Sequence, residues 1–588
     1  MPQPFRNAMA ACLAIATLLP GCAPAASRVV VPRGDLDGMA QQLDRMVRAE
    51  LKQQQIEGAS VVLFSDSRIL WEQGFGMADK AAKRPVSPQT LFRVGSLTKA
   101  FTAAAIMRLA EDGKVSLDAP VQTYLPEFRI RSRFPEAAPV TLRHLMTHHS
   151  GLPGDVAAGM WTPRPARFTS VLPALADEQL AFPPGTGFLY SNLGYDVLGA
   201  VIERVSGKPY EAFVTASLLT PTGMTRSGFA PDPSERTLTY QNGKPVVDPE
   251  LRDTPAGGLS ASAHELARFG RLMLAEGQIE GRTVLKADSI RAMLRPQNPD
   301  VPADHDFRTG LGFSLHYPKL NALGRVAGVR GATVHSHAHL LLAPDKKLGI
   351  AVLTNSTNGA LAAVKLAEDG LKLLAETYEG PLPDMPQAGP VHSALPSREA
   401  MTGTYATSMG TLTIDAKREP FQIGMMGQRL DLMPKQDGSF GLRFKLLGLI
   451  PLDLPPLREV AFRFYEANGK PMLVTYNAGM PAFGEKLAPT PISPTWRSRL
   501  GKYQLVNAGE DVVMLRFLEL KAEQDVLVFS GQFAMDGVPP FPFGLKIHSD
   551  TEAQVAGYGL GVGQTVRVVM GKHGEELLCG GYRYRKLS

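Results

Sequence analysis

A change of hydrophobic pattern partway along the chain most constrains what it can fold into. Residues 376–397 are rich in Pro, Gly and Ser, with Gly380-Pro381-Leu382-Pro383 followed by Pro386, Pro390 and Pro396, and this composition predicts an interdomain linker. Before it, residues 30–375 alternate Ala/Leu-rich helical stretches with short β-branched runs, which predicts an α/β or α+β domain. Val61-Val62-Leu63-Phe64 and Leu348-Gly349-Ile350-Ala351-Val352-Leu353 are its clearest buried strands. After the linker come short alternating runs such as Thr411-Leu412-Thr413-Ile414 and Val526-Leu527-Val528-Phe529, broken by Gly, Asp and Asn, so this part is expected to be all-β. Two similar openings, Met401-Thr402-Gly403-Thr404-Tyr405 and Leu500-Gly501-Lys502-Tyr503, predict a duplicated meander or barrel over 398–495 and 496–588, with one larger barrel as the alternative.

Charge narrows the partners. Lys and Arg number 62 against 56 Asp and Glu, and no long basic run follows from that small surplus, so nucleic acid is not expected. With 44% hydrophobic and 20% charged residues, and no membrane-length apolar run beyond the N-terminus, the body reads as globular rather than disordered or multi-spanning. Its start has Arg6, an apolar run over residues 8–19, then Leu19-Pro20-Gly21-Cys22, the layout of a secretory signal over residues 1–22. Its end resembles a bacterial lipoprotein cleavage box in which Cys22 becomes the lipidated first residue, although Pro20 is unusual there. Ordinary cleavage near Ala25 or Ala26 is the other reading. The chain is thus expected to be exported to the periplasm, with membrane attachment through Cys22. Cys12, Cys22 and Cys579 are too few and too scattered for a disulfide framework or a zinc site.

The chemistry begins at Val94-Gly95-Ser96-Leu97-Thr98-Lys99, which leads into an Ala-rich run. Positions i and i+3 share a helix face, so Ser96 and Lys99 present a hydroxyl and an amine side by side. Burial would weaken the ammonium's hydration, and the helix N-terminus favours negative charge at the serine oxygen. A helix cap with a surface lysine would show the same residues. The second element is Phe188-Leu189-Tyr190-Ser191-Asn192-Leu193-Gly194-Tyr195. A phenol beside a lysine ammonium has its phenolate stabilised, which makes Tyr190 a candidate base for the Ser96 proton, while Asn192 offers an amide to a substrate carbonyl. The similar Tyr240-Gln241-Asn242 runs into Gly243, and Asn-Gly predicts a hairpin turn instead.

Together these segments resemble the serine β-lactamase and penicillin-binding superfamily, in its class C β-lactamase-like branch with esterases, D-aminopeptidases and DD-peptidases. Further landmarks are Gly74-Phe75-Gly76-Met77-Ala78-Asp79, Leu145-Met146-Thr147-His148-His149-Ser150-Gly151-Leu152-Pro153-Gly154, Ala256-Gly257-Gly258-Leu259-Ser260 and Pro344-Asp345-Lys346-Lys347-Leu348-Gly349. The resemblance implies a transpeptidase-like domain with an antiparallel sheet and a helical subdomain. It also implies acyl transfer, in which Ser96 attacks a carbonyl, Lys99 and Tyr190 move the proton, and water releases the acyl-enzyme. Backbone N–H groups of Ser96 and Ala332 would form the oxyanion hole. The family's third motif, a Lys or His followed by any residue and Gly, falls on Val329-Arg330-Gly331, so Val stands where a polar or positive side chain is expected. Val cannot pair with a substrate carboxylate. Strand alternation turns Arg330 away from that position, though direct substitution by Arg330 stays open.

His335-Ser336-His337-Ala338-His339 would place three imidazoles on one strand face, poorly aimed at a single ion, so no metal and no cofactor is expected. His148 and His149 are read as packing residues. Gly557-Tyr558-Gly559-Leu560-Gly561 superficially suggests a nucleotide loop, but no helix follows it. Two classes of function remain. One is an exported serine hydrolase for ester or amide substrates, with neutral acyl esters and D-amino-acid peptides ranked above β-lactams and DD-peptides because of Val329. The other is a slow or inactive envelope-binding protein whose β-region recognises a wall or membrane component, peptidoglycan being one candidate.

Overall fold

A computed structural model describes residues 31–383, 395–425, 428–446, 450–452, 460–477, 480–513, 515–523, 526–533 and 541–587. The signal segment, Cys22 and the middle of the Pro-rich stretch lie outside the described residues.

The first region is built on an antiparallel sheet of β1 (Gly58–Ser65), β2 (Ile69–Asp79), β3 (Arg84–Pro85), β4 (Ala327–Ala332), β5 (His337–Ala343) and β6 (Leu348–Thr354), in the order β4-β5-β6-β1-β2-β3. β5 and β6 are buried along their whole length, as continuous apolar strands covered on both faces should be. One face carries α1 (Leu36–Gln54) and α5 (Gly359–Glu379), whose apolar stripes pack on Val61, Leu63, Ile350 and Val352. Met39, Leu43, Val47 and Leu51 recur every fourth residue along α1, which turns one helix face to the sheet. The other face carries the helical subdomain, with α2 (Thr98–Glu111), α3 (Asn192–Ser206) and α4 (Ala263–Leu274). α4 rides directly over β1, because a Cβ on Gly270 would stand 2.3 Å from the Phe64 ring. α2 is buried nearly all round, and its alanines at 100 and 103–105 let neighbouring elements approach closely.

The expected architecture of sheet, helical subdomain and β-rich C-terminal region is present. One boundary moves. α5 runs through Glu379, four residues into the stretch expected as linker, because Thr377 is fully buried and the helix stops only at Gly380, where φ is +93°. Proline and glycine mark a stop there, and the stop is Gly380 rather than the first change of composition.

Beyond it, eight strands between Gly403–Thr407 and Met480–Lys486 form a ring that closes where Gln428–Pro434 pairs with Phe440–Leu446; Ile450–Leu452 adds at the edge. A second closed barrel of eight strands runs from Gly501–Leu505 to Tyr582–Lys586, its first and last strands paired. The two openings share one device. Tyr405 Oη donates to the Met401 carbonyl at 2.9 Å, and Tyr503 Oη donates to the Arg499 carbonyl at 2.6 Å, in each case four residues back at the end of a short helix. Both barrels lean on the helical subdomain. The first does so through Tyr465 Oη on the Ala303 carbonyl at 2.7 Å. The second uses Arg131 with Glu552 at 2.7 Å and backbone bonds from Ala158 N–H to Gly580 and from Val512 N–H to Trp161.

Candidate active site

The nucleophile turn, Gly95–Leu97, is a 3₁₀ turn that feeds α2 and is pressed against the end of β4. Gly95 has φ +52°, and a Cβ there would lie 2.4 Å from the Ala332 carbonyl oxygen; a Cβ on Gly331 would lie 1.7 Å from that of Val94. Only bare backbone fits at this crossing. It sets the backbone of Ser96 against Ala332, the pair whose amides the family resemblance assigns to the oxyanion hole.

Lys99 follows one turn later and is 3% exposed. Its ammonium donates to Ser96 Oγ at 3.2 Å, to Asn192 Oδ1 at 2.6 Å and to the Ala256 carbonyl at 2.8 Å. Those three acceptors match the three protons of an ammonium, which is the condition for keeping a charge away from water. Asn192 opens α3, whose N-cap Ser191 accepts from Gly194 N–H and donates to the Pro153 carbonyl. The amide expected to hold a substrate carbonyl is therefore engaged at both ends, since Asn192 Nδ2 donates to Asp155 Oδ1 at 2.7 Å. With its carboxylate on Nδ2, Asp155 fixes which end of the amide meets Lys99.

Tyr190 sits just before that cap, with the Lys99 ammonium 4.8 Å from its ring centroid. His148 stacks on the Tyr190 ring at 4.3 Å, and its Nδ1 accepts the Ser191 N–H at 3.1 Å. Burial, then the nearby Lys99 charge, pushes the His148 pKa well below the usual histidine range, so the ring is neutral and free to accept that bond. Burial raises the Asp155 pKa in turn. His149 lies apart, with Nε2 on Asp304 at 2.6 Å.

Asp155 went unassigned in the sequence, and His148, read there as a packing residue, both packs on Tyr190 and accepts the Ser191 N–H. Asp155 directly follows the Pro153-Gly154 landmark, and a carboxylate there was the available signal. His148 carries φ +62°, a backbone state that no sequence period announces.

Val329 is buried with Leu340 and Ala338 on the same sheet face as Gly331, the face turned to the helical subdomain. Arg330 points through the sheet to the opposite side, 4.0 Å from Glu368 of α5, so it does not stand in for the missing cation. The histidines do not converge. His335 lies in the turn before β5 rather than on the strand, with Nδ1 on Thr357 Oγ1 at 2.8 Å; His337 takes the Thr357 carbonyl, and His339 faces Tyr317. Among the described residues, no group of three or more His, Cys, Asp or Glu side chains is placed to hold a metal ion. Asn242 and Gly243, with φ +51° and +77°, form the expected hairpin turn between Thr239–Gln241 and Lys244–Val246.

A sheet flanked by helices, with a Ser-x-x-Lys turn at its edge and a Tyr-x-Asn cap opposite, matches one known family. The profile of the Beta-lactamase family covers residues 43–374, and the chain belongs to that family. It is 37% identical over 224 residues to esterase EstB of Burkholderia gladioli, a match that spans 36% of this chain and 57% of that protein. It is 31% identical over 243 residues to protein flp of Staphylococcus aureus, spanning 40% of this chain and 49% of that protein. The matched segments thus cover only about half the length of these curated relatives. Among solved structures, SurE superposes with a TM-score of 0.57 at 24% identity, covering 77% of this chain and all of that one. The octameric penicillin-binding protein homologue from Pyrococcus abyssi superposes with a TM-score of 0.51 at 21% identity, over 93% of this chain and 99% of that one.

The Lys99–Asn192 contact yields a prediction. Asn192→Leu leaves a buried ammonium without its shortest acceptor, and the protein is expected to lose about 1 to 3 kcal/mol of stability. A denaturant titration of wild type and variant measures it, and coincident midpoints would refute the assignment of that bond.

Proposed function

We propose that the chain is an exported serine hydrolase that carries an acyl group on Ser96 and acts on ester or amide substrates, neutral acyl esters or D-amino-acid peptides foremost. The observation that carries this reading is the approach of Lys99 Nζ to within 3.2 Å of Ser96 Oγ at the start of a buried helix. The kinship with a protein named as an esterase supports it.

In this reading Ser96 Oγ attacks the substrate carbonyl carbon and its proton passes to Tyr190 Oη acting as base, with the Lys99 ammonium 4.8 Å from the tyrosine ring centroid. The oxyanion is held by the N–H groups of Ser96 and Ala332. As the tetrahedral intermediate collapses, Tyr190 returns the proton to the leaving oxygen or nitrogen. Water then repeats the sequence on the acyl-enzyme and frees the acid and Ser96. Asp155, Asn192 and His148 position Lys99 and Tyr190. The chain's N-terminal segment supports export, with Cys22 lipidated and the enzyme held at the membrane.

Ser96→Ala is expected to abolish stoichiometric labelling by a fluorophosphonate and turnover of p-nitrophenyl acetate, and Tyr190→Phe to lower kcat/KM on the order of 10²- to 10⁴-fold. Ester turnover surviving in Ser96→Ala would sink the reading. A second expectation concerns charge. A substrate carboxylate entering beside Val329 loses water and gains no partner, so the wild type should favour p-nitrophenyl acetate over nitrocefin, and Val329→His should move that ratio toward nitrocefin by roughly tenfold. Efficient nitrocefin hydrolysis by the wild type would contradict it. For export, cells fed labelled palmitate should label the wild type and not Cys22→Ser; equal labelling rules lipidation at Cys22 out.

A further inference from the structure

Two carboxyl groups near Lys99 take no part in the acyl-transfer sequence. Asp196 lies on α3, four residues after Asn192, and Asp253 directly precedes the short helix Thr254–Gly257, whose Ala256 carbonyl accepts from Lys99. Both are fully buried. The Asp253 carbonyl starts that helix by accepting the N–H groups of Ala256 and Gly257, each at 3.0 Å. α3 presses on the same turn, since a Cβ on Gly199 would stand 2.3 Å from the Pro255 ring.

A count of donors decides the charge on the pair. Arg252 Nε binds Asp253 Oδ1 at 2.6 Å, and its other two nitrogens go to the carbonyls of Ala158 and Val156. Among the described residues, no donor reaches either oxygen of Asp196 or Oδ2 of Asp253. The two carboxyls instead hydrogen-bond to each other. A carboxylate only accepts, so that bond requires a proton on one of them. Asp253 already has Arg252 on its other oxygen, which favours its ionised form and leaves the proton to Asp196. Burial, then the Asp253 charge, raises the Asp196 pKa well above the usual carboxylate range, against the pull of Arg252 and Lys99. Tyr210, whose phenol is bonded to Thr102 at 2.7 Å, is the further titratable group that senses Asp196.

We propose that the Asp196 carboxylic acid is a positioning residue for Lys99, donating to Asp253 and so tying the head of α3 to the Ala256 turn. Those two elements carry Asn192 Oδ1 and the Ala256 carbonyl, two of the three acceptors of the ammonium. With the proton in place the tie is attractive, whereas two carboxylates there would repel and spread the acceptors apart. The inference rests on the serine hydrolase reading above and adds to it a residue that acts only through Lys99.

Asp196→Asn and Asp196→Leu test it. The amide keeps a donor toward Asp253 and has no proton to lose, while leucine removes the donor at similar size. At neutral pH the infrared C=O stretch of a protonated carboxyl should be stronger in the wild type than in Asp196→Asn. With p-nitrophenyl acetate, Asp196→Leu should lower kcat on the order of 10- to 10²-fold with KM little changed, and Asp196→Asn should bring kcat back to within about threefold of wild type. Linkage supplies a third readout. An acid whose pKa is raised by folding contributes stability that is fully present below the ordinary carboxylate range and is lost as pH rises through the folded value. Asn carries no such dependence, so the melting midpoint of Asp196→Asn should gain on wild type between about pH 4 and about pH 8. Equal carboxyl bands, a folded Asp196→Leu with wild-type kcat, an Asp196→Asn as slow as Asp196→Leu, or a melting difference flat with pH would each overturn the inference. Should Asp196→Leu fail to fold, the infrared and melting comparisons with Asp196→Asn still decide whether the shared proton is there. Fluorophosphonate labelling of wild-type Ser96 separates the two claims: an unlabelled wild type fails the hydrolase reading itself, whereas a labelled one with equal carboxyl bands fails only the role of Asp196.

Discussion

The Lys99 ammonium is the constraint on which the rest of the site depends. It is nearly removed from water, and its acceptors come from three separate elements: Ser96 on the nucleophile turn, Asn192 at the head of α3, and the Ala256 carbonyl. A buried charge held this way requires each of those elements to keep its place, because any acceptor that moved away would leave a donor unsatisfied. The requirement propagates outward. Asn192 is oriented by Asp155, and α3 is capped by Ser191, which is also tied to the Pro153 carbonyl. Behind them, Arg252 binds Asp253 at 2.6 Å and the carbonyls of Val156 and Ala158, while Asp196 is fully buried and its pKa is driven well above the usual carboxylate range by burial and by Asp253. A carboxyl in that setting holds its proton and adds no second negative charge behind Lys99.

The C-terminal barrels bear on the same group of residues. The second one touches the helical subdomain along 154–161 and 178–190, the two stretches that carry Asp155 and Tyr190, through Gln179 N–H on Thr565 Oγ1 at 3.1 Å and the backbone bridge of Gly559 to Leu189. The first contributes Tyr465, Tyr476 and Phe483 around Phe307 and His316, with Tyr476 stacked on His316 at 4.3 Å. Closing each barrel removes its free strand edges, so the surface offered to the subdomain is made of loops and strand ends rather than unpaired ladders. A loop rich in glycine can then press its backbone against another backbone, as Gly559 does against Tyr190.

The sequence by itself determined the parts that obey a short-range rule. A period of two against a period near 3.6 separated the all-β region from the α/β one, and Ser96-x-x-Lys99 placed two side chains on one helical face because the helix repeat does so in any context. Val329 at the third motif and Arg330 turned away from it were legible for the same reason, since a strand alternates wherever it lies. Tertiary structure alone decided the rest. Asp155 meets Asn192, His148 stacks on Tyr190, and the Gly557-Tyr558-Gly559-Leu560-Gly561 loop clasps the tyrosine segment from a different domain. These contacts join residues far apart in the chain, through turns and loops with positive φ that leave no hydrophobic period to read. They exist because packing around a buried ammonium and against a closed barrel leaves those side chains and that backbone no other place to satisfy their hydrogen bonds.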